Sequence, residues 1–374
     1  MKVALIHDYL NQYGGAERVL EALIALFPEA HLYTLLYSEE RTFGRFSRNI
    51  HRTSFLDFAL ARQYHRPFIP LMPLAVKNLR PGDEYDLIIS DSAGFAKGIQ
   101  HGGRAFHLAY CHTPLRYAWE VKSYFPNPIY KTLFGPAFEY LRQWDYQAAQ
   151  RPDLLLAPSH FIAGKIKSYY RREACVLHPP VDYQKFYYDA GLQPSDAEEA
   201  YYLAVGRLMH YKKFDLLIEA FKQLRRRLKI VGTGPEEKYV ARQSARSANI
   251  EYLPLVSDEE LHALYNRARA LLFPQVEDFG LVAAEAQACG TPVIALAAGG
   301  ALEIVQDRVT GLFFKQQTVE DLIQAIRSFE QMSFDRQAIA QLSRRFSIAS
   351  FQQGILDHLP AHLLERRIAA YTTA

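Results

Sequence analysis

Apolar and polar residues alternate along this chain in two successive cycles of short apolar runs and longer amphipathic stretches. In the first cycle, apolar runs at 3–6, 32–36, 85–90, 105–110 and 154–157 predict strands. Val19, Leu20, Leu23 and Leu26 recur at helical spacing over 16–26, a longer helix is expected around 138–150, and Ser159 is placed to cap another. The second cycle predicts strands at 202–205, 228–232, 250–253, 270–273, 292–297 and 310–313. Helices are expected on Leu216, Leu217, Ala220 and Phe221, after a Ser257/Glu260 capping box, and over 281–289, 320–329 and 335–346. Strand and helix alternating in this way predict parallel sheets covered by helices, twice over.

Polar chemistry collects where strands should end. Gly14 and Gly15 open the first long helix, so backbone N–H groups stand at the mouth of the first sheet; close helix packing alone would also explain them. His112 follows the 105–110 strand, and Pro114 stops that strand at the crevice. Arg207 and Lys212 flank a loop after the 202–205 strand, where two cations can neutralise a diphosphate. Gly232 and Gly234 make a tight turn after the next strand. After 270–273 come Glu277 in a loop and Glu285 on the following helix, with the amides of Phe279, Gly280 and Leu281 between them as an anion hole. Two carboxylates beside an anion hole suit a ligand carrying hydroxyls and phosphate.

The run EDFGLVAAEAQACGTPVIA, from Glu277 onward, resembles the signature of retaining GT-B glycosyltransferases of family 4 (glycosyl transferases group 1). GGAERVLEAL, CHTPLRYAWE and the Gly206-Arg207 and Lys212 pair are similar to other segments of that family. The resemblance implies two Rossmann-like domains facing across a cleft, with a nucleotide sugar as donor. It gives Glu277 the sugar hydroxyls, Glu285 the ribose, Arg207 and Lys212 the diphosphate, His112 the transferred sugar, and Gly14 and Gly15 an approach to the phosphates. One departure is Lys213, where the family has glycine. The opening MKVALIHDYLNQYGGAERVL and AYCHTPLRYAWE look most like bacterial mannosyltransferases of polysaccharide or lipid-linked oligosaccharide assembly, which implies GDP-mannose and a glycan or lipid-linked acceptor. Another GT-B transferase using a UDP- or ADP-sugar, a non-catalytic nucleotide-sugar binder and an anionic-surface binder stand as alternatives.

Length and composition fit this frame. A chain of 374 residues exceeds the size of one ordinary core. The expected division is 1–186, joined by a final helix at 355–374, and 187–354, with a linker richest in small and acidic residues at 191–199. A formal charge of +3 gives no ground for a nucleic-acid partner, and Cys111, Cys175 and Cys289 suggest neither disulfides nor a metal cluster. No metal and no cofactor beyond the donor is expected. The first residues do not read as a signal peptide and no run is long enough to span a membrane, so the expected setting is cytoplasmic. The stretch 43–81 interleaves arginine with aromatic residues and reads either as a solvated helical face over core rings or as a surface for an anionic membrane, which would make the protein peripheral on its inner face. The segment 116–136, with Tyr117, Trp119, Lys122, Tyr124, Phe125, Tyr130 and Lys131, is expected to form an acceptor-side loop.

Overall fold

The computed structural model describes residues 1–120, 128–192 and 200–365. The side chains of Lys122, Tyr124, Phe125, Tyr130 and Lys131 therefore lie outside the described residues, as do most of the 191–199 linker and the tail beyond residue 365. Two compact units divide the chain: Met1–His178 together with the part from Phe351 on, and Pro179–Ser350.

The first unit holds a sheet of parallel strands β1 (Val3–Leu10), β2 (His31–Tyr37), β3 (Ile50–Thr53), β4 (Leu87–Ser92), β5 (Phe106–Cys111), β6 (Leu154–Ala157) and β7 (Cys175–Val176), in the order β3-β2-β1-β4-β5-β6-β7. The order reverses between β1 and β4, so a crevice opens at their carboxyl ends. Ala4 and Ile6 point into one face with Leu35, Ile88 and Val76, which is why an alternating apolar run fixes the register there. The helix Gly15–Leu26 lays Val19, Leu20, Leu23 and Leu26 inward. Chain from the far end returns to this unit: Phe351 meets the Tyr110 ring edge-on at 5.5 Å, and Gln352 donates to the Ala22 carbonyl at 3.0 Å.

The second unit holds β8 (Tyr201–Val205), β9 (Arg227–Val231), β10 (Ile250–Leu253), β11 (Ala268–Phe273), β12 (Val293–Leu296) and β13 (Gly311–Phe314), in the order β10-β9-β8-β11-β12-β13. All pairs are parallel, and the reversal falls between β8 and β11. Residues from Pro179 to Phe186 pack with this unit because Val181 donates to the Phe346 carbonyl at 2.7 Å and Phe186 is buried against the Tyr265 ring. The capping box at Ser257 and Glu260 forms, with both reciprocal bonds present.

Two strands escape the apolar pattern. β3, IHRT, sits at an edge with its middle residues exposed, and β7 has only two residues. Within 43–81, Phe43 is 72% exposed, and Phe55, Phe58 and Tyr64 are also exposed, whereas Phe46 is buried. The core of this region is aliphatic instead, built from Leu56, Ile69, Met72, Val76 and Leu79.

Candidate functional site

The switch crevice of the second unit gathers most of the expected donor residues. Arg207 and Lys212 follow β8, Gly232 and Gly234 follow β9, and Glu277 follows β11, all at the carboxyl edge of one parallel sheet. Lys212 Nζ lies 2.8 Å from Glu277 Oε1, and the two side chains are 12% and 18% exposed. Arg207, by contrast, is exposed.

Close backbone approach explains the glycines around this pair. Gly206 donates to the Val231 carbonyl and Leu208 to the Thr233 carbonyl, so the loops after β8 and β9 run side by side. A Cβ on Gly232 would stand 2.0 Å from the Gly206 oxygen, and one on Gly234 would stand 2.6 Å from the Leu208 oxygen. The loop of Glu277 is pinned in a similar way. Gly300 donates to the Glu277 carbonyl at 2.9 Å, and a Cβ on Gly300 would come within 2.2 Å of the Phe279 oxygen.

Lys213, the departure from the family pattern, adopts φ 58° and ψ 38°. The chain keeps a left-handed turn at that position with a non-glycine residue, and it is the N-cap of the helix Phe214–Gln223.

The helix Leu281–Ala288 begins at Gly280, whose φ of 109° brings its backbone against the Phe273 ring, with no side-chain cap on its first amides. Those amides, Leu281 included, are oriented by the helix to receive an anion. Phe279 itself is buried, its ring 5.4 Å from that of Phe346. Glu285 is also buried, at 3% exposed, and accepts from the Tyr265 hydroxyl at 3.1 Å. Its carboxylate is withdrawn from solvent beside Tyr265, whereas that of Glu277 stands in the loop with Lys212.

The switch crevice of the first unit contains His112 and a set of partners that sequence patterning did not identify. His112 Nε2 is 2.5 Å from Asp91 Oδ1, and His7 Nδ1 is 2.8 Å from Asp91 Oδ2. His7 Nε2 in turn faces Glu17 Oε1 at 3.8 Å. Burial works against a charge on His7, but the Asp91 hydrogen bond and the nearby carboxylates of Asp91 and Glu17 outweigh it and raise its pKa from 6.5 to about 10. Burial likewise pushes the Asp91 carboxyl up, yet His112 and His7 hold it below its ordinary value. Asp91 belongs to the fully buried run LIISDS of β4; an apolar run that turns polar while still inside a strand was the available signal.

Gly14 is the N-cap of the helix Gly15–Leu26, with no side-chain cap, and a Cβ there would meet Glu17 Oε2 at 3.4 Å. On β1, Asp8 accepts from the amides of Ala93, Phe95 and Ala96 at 2.6–2.7 Å and fixes the loop after β4. The segment after His112 is fastened separately. Asp145 pairs with buried Lys97 at 2.6 Å and accepts from Trp119 Nε1 at 2.8 Å and the Tyr170 hydroxyl at 2.6 Å.

Among the described residues no group of three His, Cys, Asp or Glu side chains is arranged to hold a metal ion, and no helix is long and apolar enough to cross a membrane.

Residues 13–185 match the family model described as Glycosyltransferase Family 4, and residues 192–346 match Glycosyl transferases group 1. D-inositol 3-phosphate glycosyltransferase of Geodermatophilus obscurus is 32% identical over 260 residues, which are 61% of this chain and 54% of that protein. Its namesake in a Mycobacterium species is 29% identical over 249 residues, 58% of this chain and 56% of the relative. The chain thus spans about half the length of these curated relatives. Among solved structures, HepE of Anabaena in complex with UDP superposes with a TM-score of 0.70 at 19% identity, covering 96% of this chain and 99% of that one. Sucrose-phosphate synthase of Thermosynechococcus elongatus gives 0.70 at 19% identity, covering 99% and 100%. At such identities these two likenesses speak for the fold. With its first half matched as one glycosyltransferase domain, its second as the other, and a Rossmann-like sheet in each, the chain belongs to the GT-B glycosyltransferases of family 4 type.

Proposed function

We propose that this protein transfers a hexose from a nucleoside diphosphate sugar to a hydroxyl of a glycan or lipid-linked acceptor, with retention at the anomeric carbon. The observation that carries this reading is the Lys212–Glu277 pair at the β8/β11 switch, beside Arg207 and the amides that open at Gly280. A diphosphate entering there competes with Glu277 for the Lys212 ammonium, and the released carboxylate is free to accept from sugar hydroxyls. As the anomeric carbon–oxygen bond breaks, Arg207 and Lys212 hold the growing charge on the departing phosphate. The acceptor oxygen bonds to the anomeric carbon on the face the phosphate leaves, and its proton passes to a phosphate oxygen. On this reading the two cations do what a metal does elsewhere, so none is required. The sequence resemblance would give His112 the sugar, Gly14 and Gly15 the phosphates, and Glu285 the ribose.

GDP-mannose is the donor proposed from the sequence resemblance. A UDP-sugar is the second reading, favoured by the solved complexes of HepE with UDP and UDP-glucose. The acceptor reading extends to where the protein works. Exposed Phe43, Phe55, Phe58 and Tyr64 lie in the same stretch as exposed Arg48, Arg66 and Lys77, a combination suited to an anionic bilayer surface.

The deciding experiment is a panel of GDP-mannose, UDP-glucose and ADP-glucose, each tested for binding and slow hydrolysis with and without EDTA, followed by the anomeric configuration of the released sugar by NMR. Hydrolysis of one donor, undiminished by EDTA and giving the retained anomer first, is expected. Binding without any turnover would leave only a nucleotide-sugar binder.

A further inference from the structure

We propose that Asp91 is a positioning residue that fixes the ring and the proton of His112, and that His7, clamped between Asp91 and Glu17, fixes Asp91. This rests on the role given to His112 above, but its structural content is independent of any substrate.

The geometry leaves little freedom. Asp91 has no exposed side-chain surface, and each of its carboxylate oxygens is taken by a different imidazole, His112 at 2.5 Å and His7 at 2.8 Å. An ionised carboxylate only accepts, so His112 must carry its proton on Nε2. Nδ1 is then the nitrogen left for a ligand, and the ring retains 16% exposure while Asp91 has none. His7 is hydrogen-bonded to Asp91 at Nδ1 and has the Glu17 carboxylate 3.8 Å from Nε2, so two buried negative charges favour its imidazolium form. Tyr110 on β5 is the other titratable group that feels Asp91, and its hydroxyl is committed to the Leu177 carbonyl.

The three elements involved are adjacent by topology. His7 and Asp91 are directly opposite in the β1/β4 ladder, and His112 follows β5, the next strand. Glu17 brings in the helix that starts at the glycine turn, since it lies in that helix's first turn. A row of three buried side chains, Glu17, His7 and Asp91, therefore links the glycine turn to the partly exposed imidazole of His112.

The test uses the full chain with ¹⁵N-labelled histidine, reading ring tautomers by long-range ¹H–¹⁵N NMR without substrate. In the unaltered protein His7 should show two protonated ring nitrogens up to about pH 9, and His112 a proton held on Nε2. A neutral His7 at pH 8, or His112 protonated on Nδ1 alone, overturns the proposal whatever the variants do. Asp91→Asn should retain the fold by circular dichroism, lose the fixed His112 tautomer, and lower kcat at least tenfold while KM for the donor stays within about twofold. An Asp91→Asn protein with unchanged kcat and an unchanged His112 tautomer also overturns it. If no donor is turned over by the unaltered protein, the enzymatic reading fails and the NMR arm still decides the positioning.

Discussion

Lys212 Nζ and Glu277 Oε1 stand 2.8 Å apart across the β8/β11 reversal, each mostly withdrawn from solvent. The pair balances its own charge until a stronger anion enters, which makes it a test of the proposed chemistry. Lys212→Ala is expected to lower kcat by about 10²–10³, the scale of losing one donor to a developing oxyanion. Glu277→Gln should lower it as well. The double variant should lose less than the two combined, with a coupling of about 0.5–3 kcal/mol in a double-mutant cycle of single-turnover rates. Strict additivity would show that the two side chains do not act together.

Arg207 is exposed where Lys212 is not, so its removal should leave the fold alone. Arg207→Ala should reduce the chemical step more than donor affinity, because the leaving phosphate carries most charge in the transition state. Equal turnover in rapid-quench assays would remove Arg207 from the mechanism.

At Lys213 the backbone is left-handed with a side chain attached, a state that costs about 1–2 kcal/mol for a residue with a Cβ. Lys213→Gly relieves it at the expense of a freer unfolded chain. Its urea midpoint should therefore rise modestly, by up to about 1 kcal/mol of stability. Gly232→Ala is expected to do the opposite and cost at least about 2 kcal/mol, since it combines φ 141° with a Cβ 2.0 Å from a backbone oxygen.

Two buried histidines give stability a maximum in pH. His7 has its pKa raised to about 10, so its contribution is complete below 6.5 and disappears as pH rises through about 10. Burial first, with nearby cations, lowers His107 to about 3, so its contribution is present above 6.5 and is lost as pH falls towards 3. The histidine part of stability therefore peaks near pH 6.5. Urea titrations at pH 5, 6.5 and 8.5 should show this, with His107→Gln flattening the acid limb and His7→Gln the alkaline one.

For the aromatic surface at 43–64, vesicles with anionic lipid should retain the protein and neutral vesicles should not, and added salt should release it. Phe43→Ser with Phe55→Ser should weaken retention by about tenfold or more for each ring that enters the interface. Retention by neutral vesicles alone would point to a different surface.

Much of this architecture was readable because apolar period and strand length agree in both halves: 154–157 and 250–253 are strands at the expected bounds, and Ser257 caps as its spacing requires. Edge strand β3 was not, because IHRT has no buried face to impose an alternation. Long sequence patterns singled out Glu277 and Glu285 as candidates, of which the structure pairs Glu277 with Lys212 and buries Glu285 beside Tyr265, whereas side chains brought together by pairing across strands left no local trace. Nothing local to Asp91 announces His7, which is 84 positions away and becomes its neighbour only through the β1/β4 register. Lys213 shows a third case, in which packing on either side holds a backbone shape that local preference resists.

The seam where Gly232 lies against Gly206 leaves no room for one loop to shift without the other. On the proposed reading, a nucleotide arriving there meets two loops already packed on one another, so little ordering entropy should be lost on association. Affinity for different donors should then track how well each fits a fixed mould, and broad tolerance would have to be acquired elsewhere in the chain.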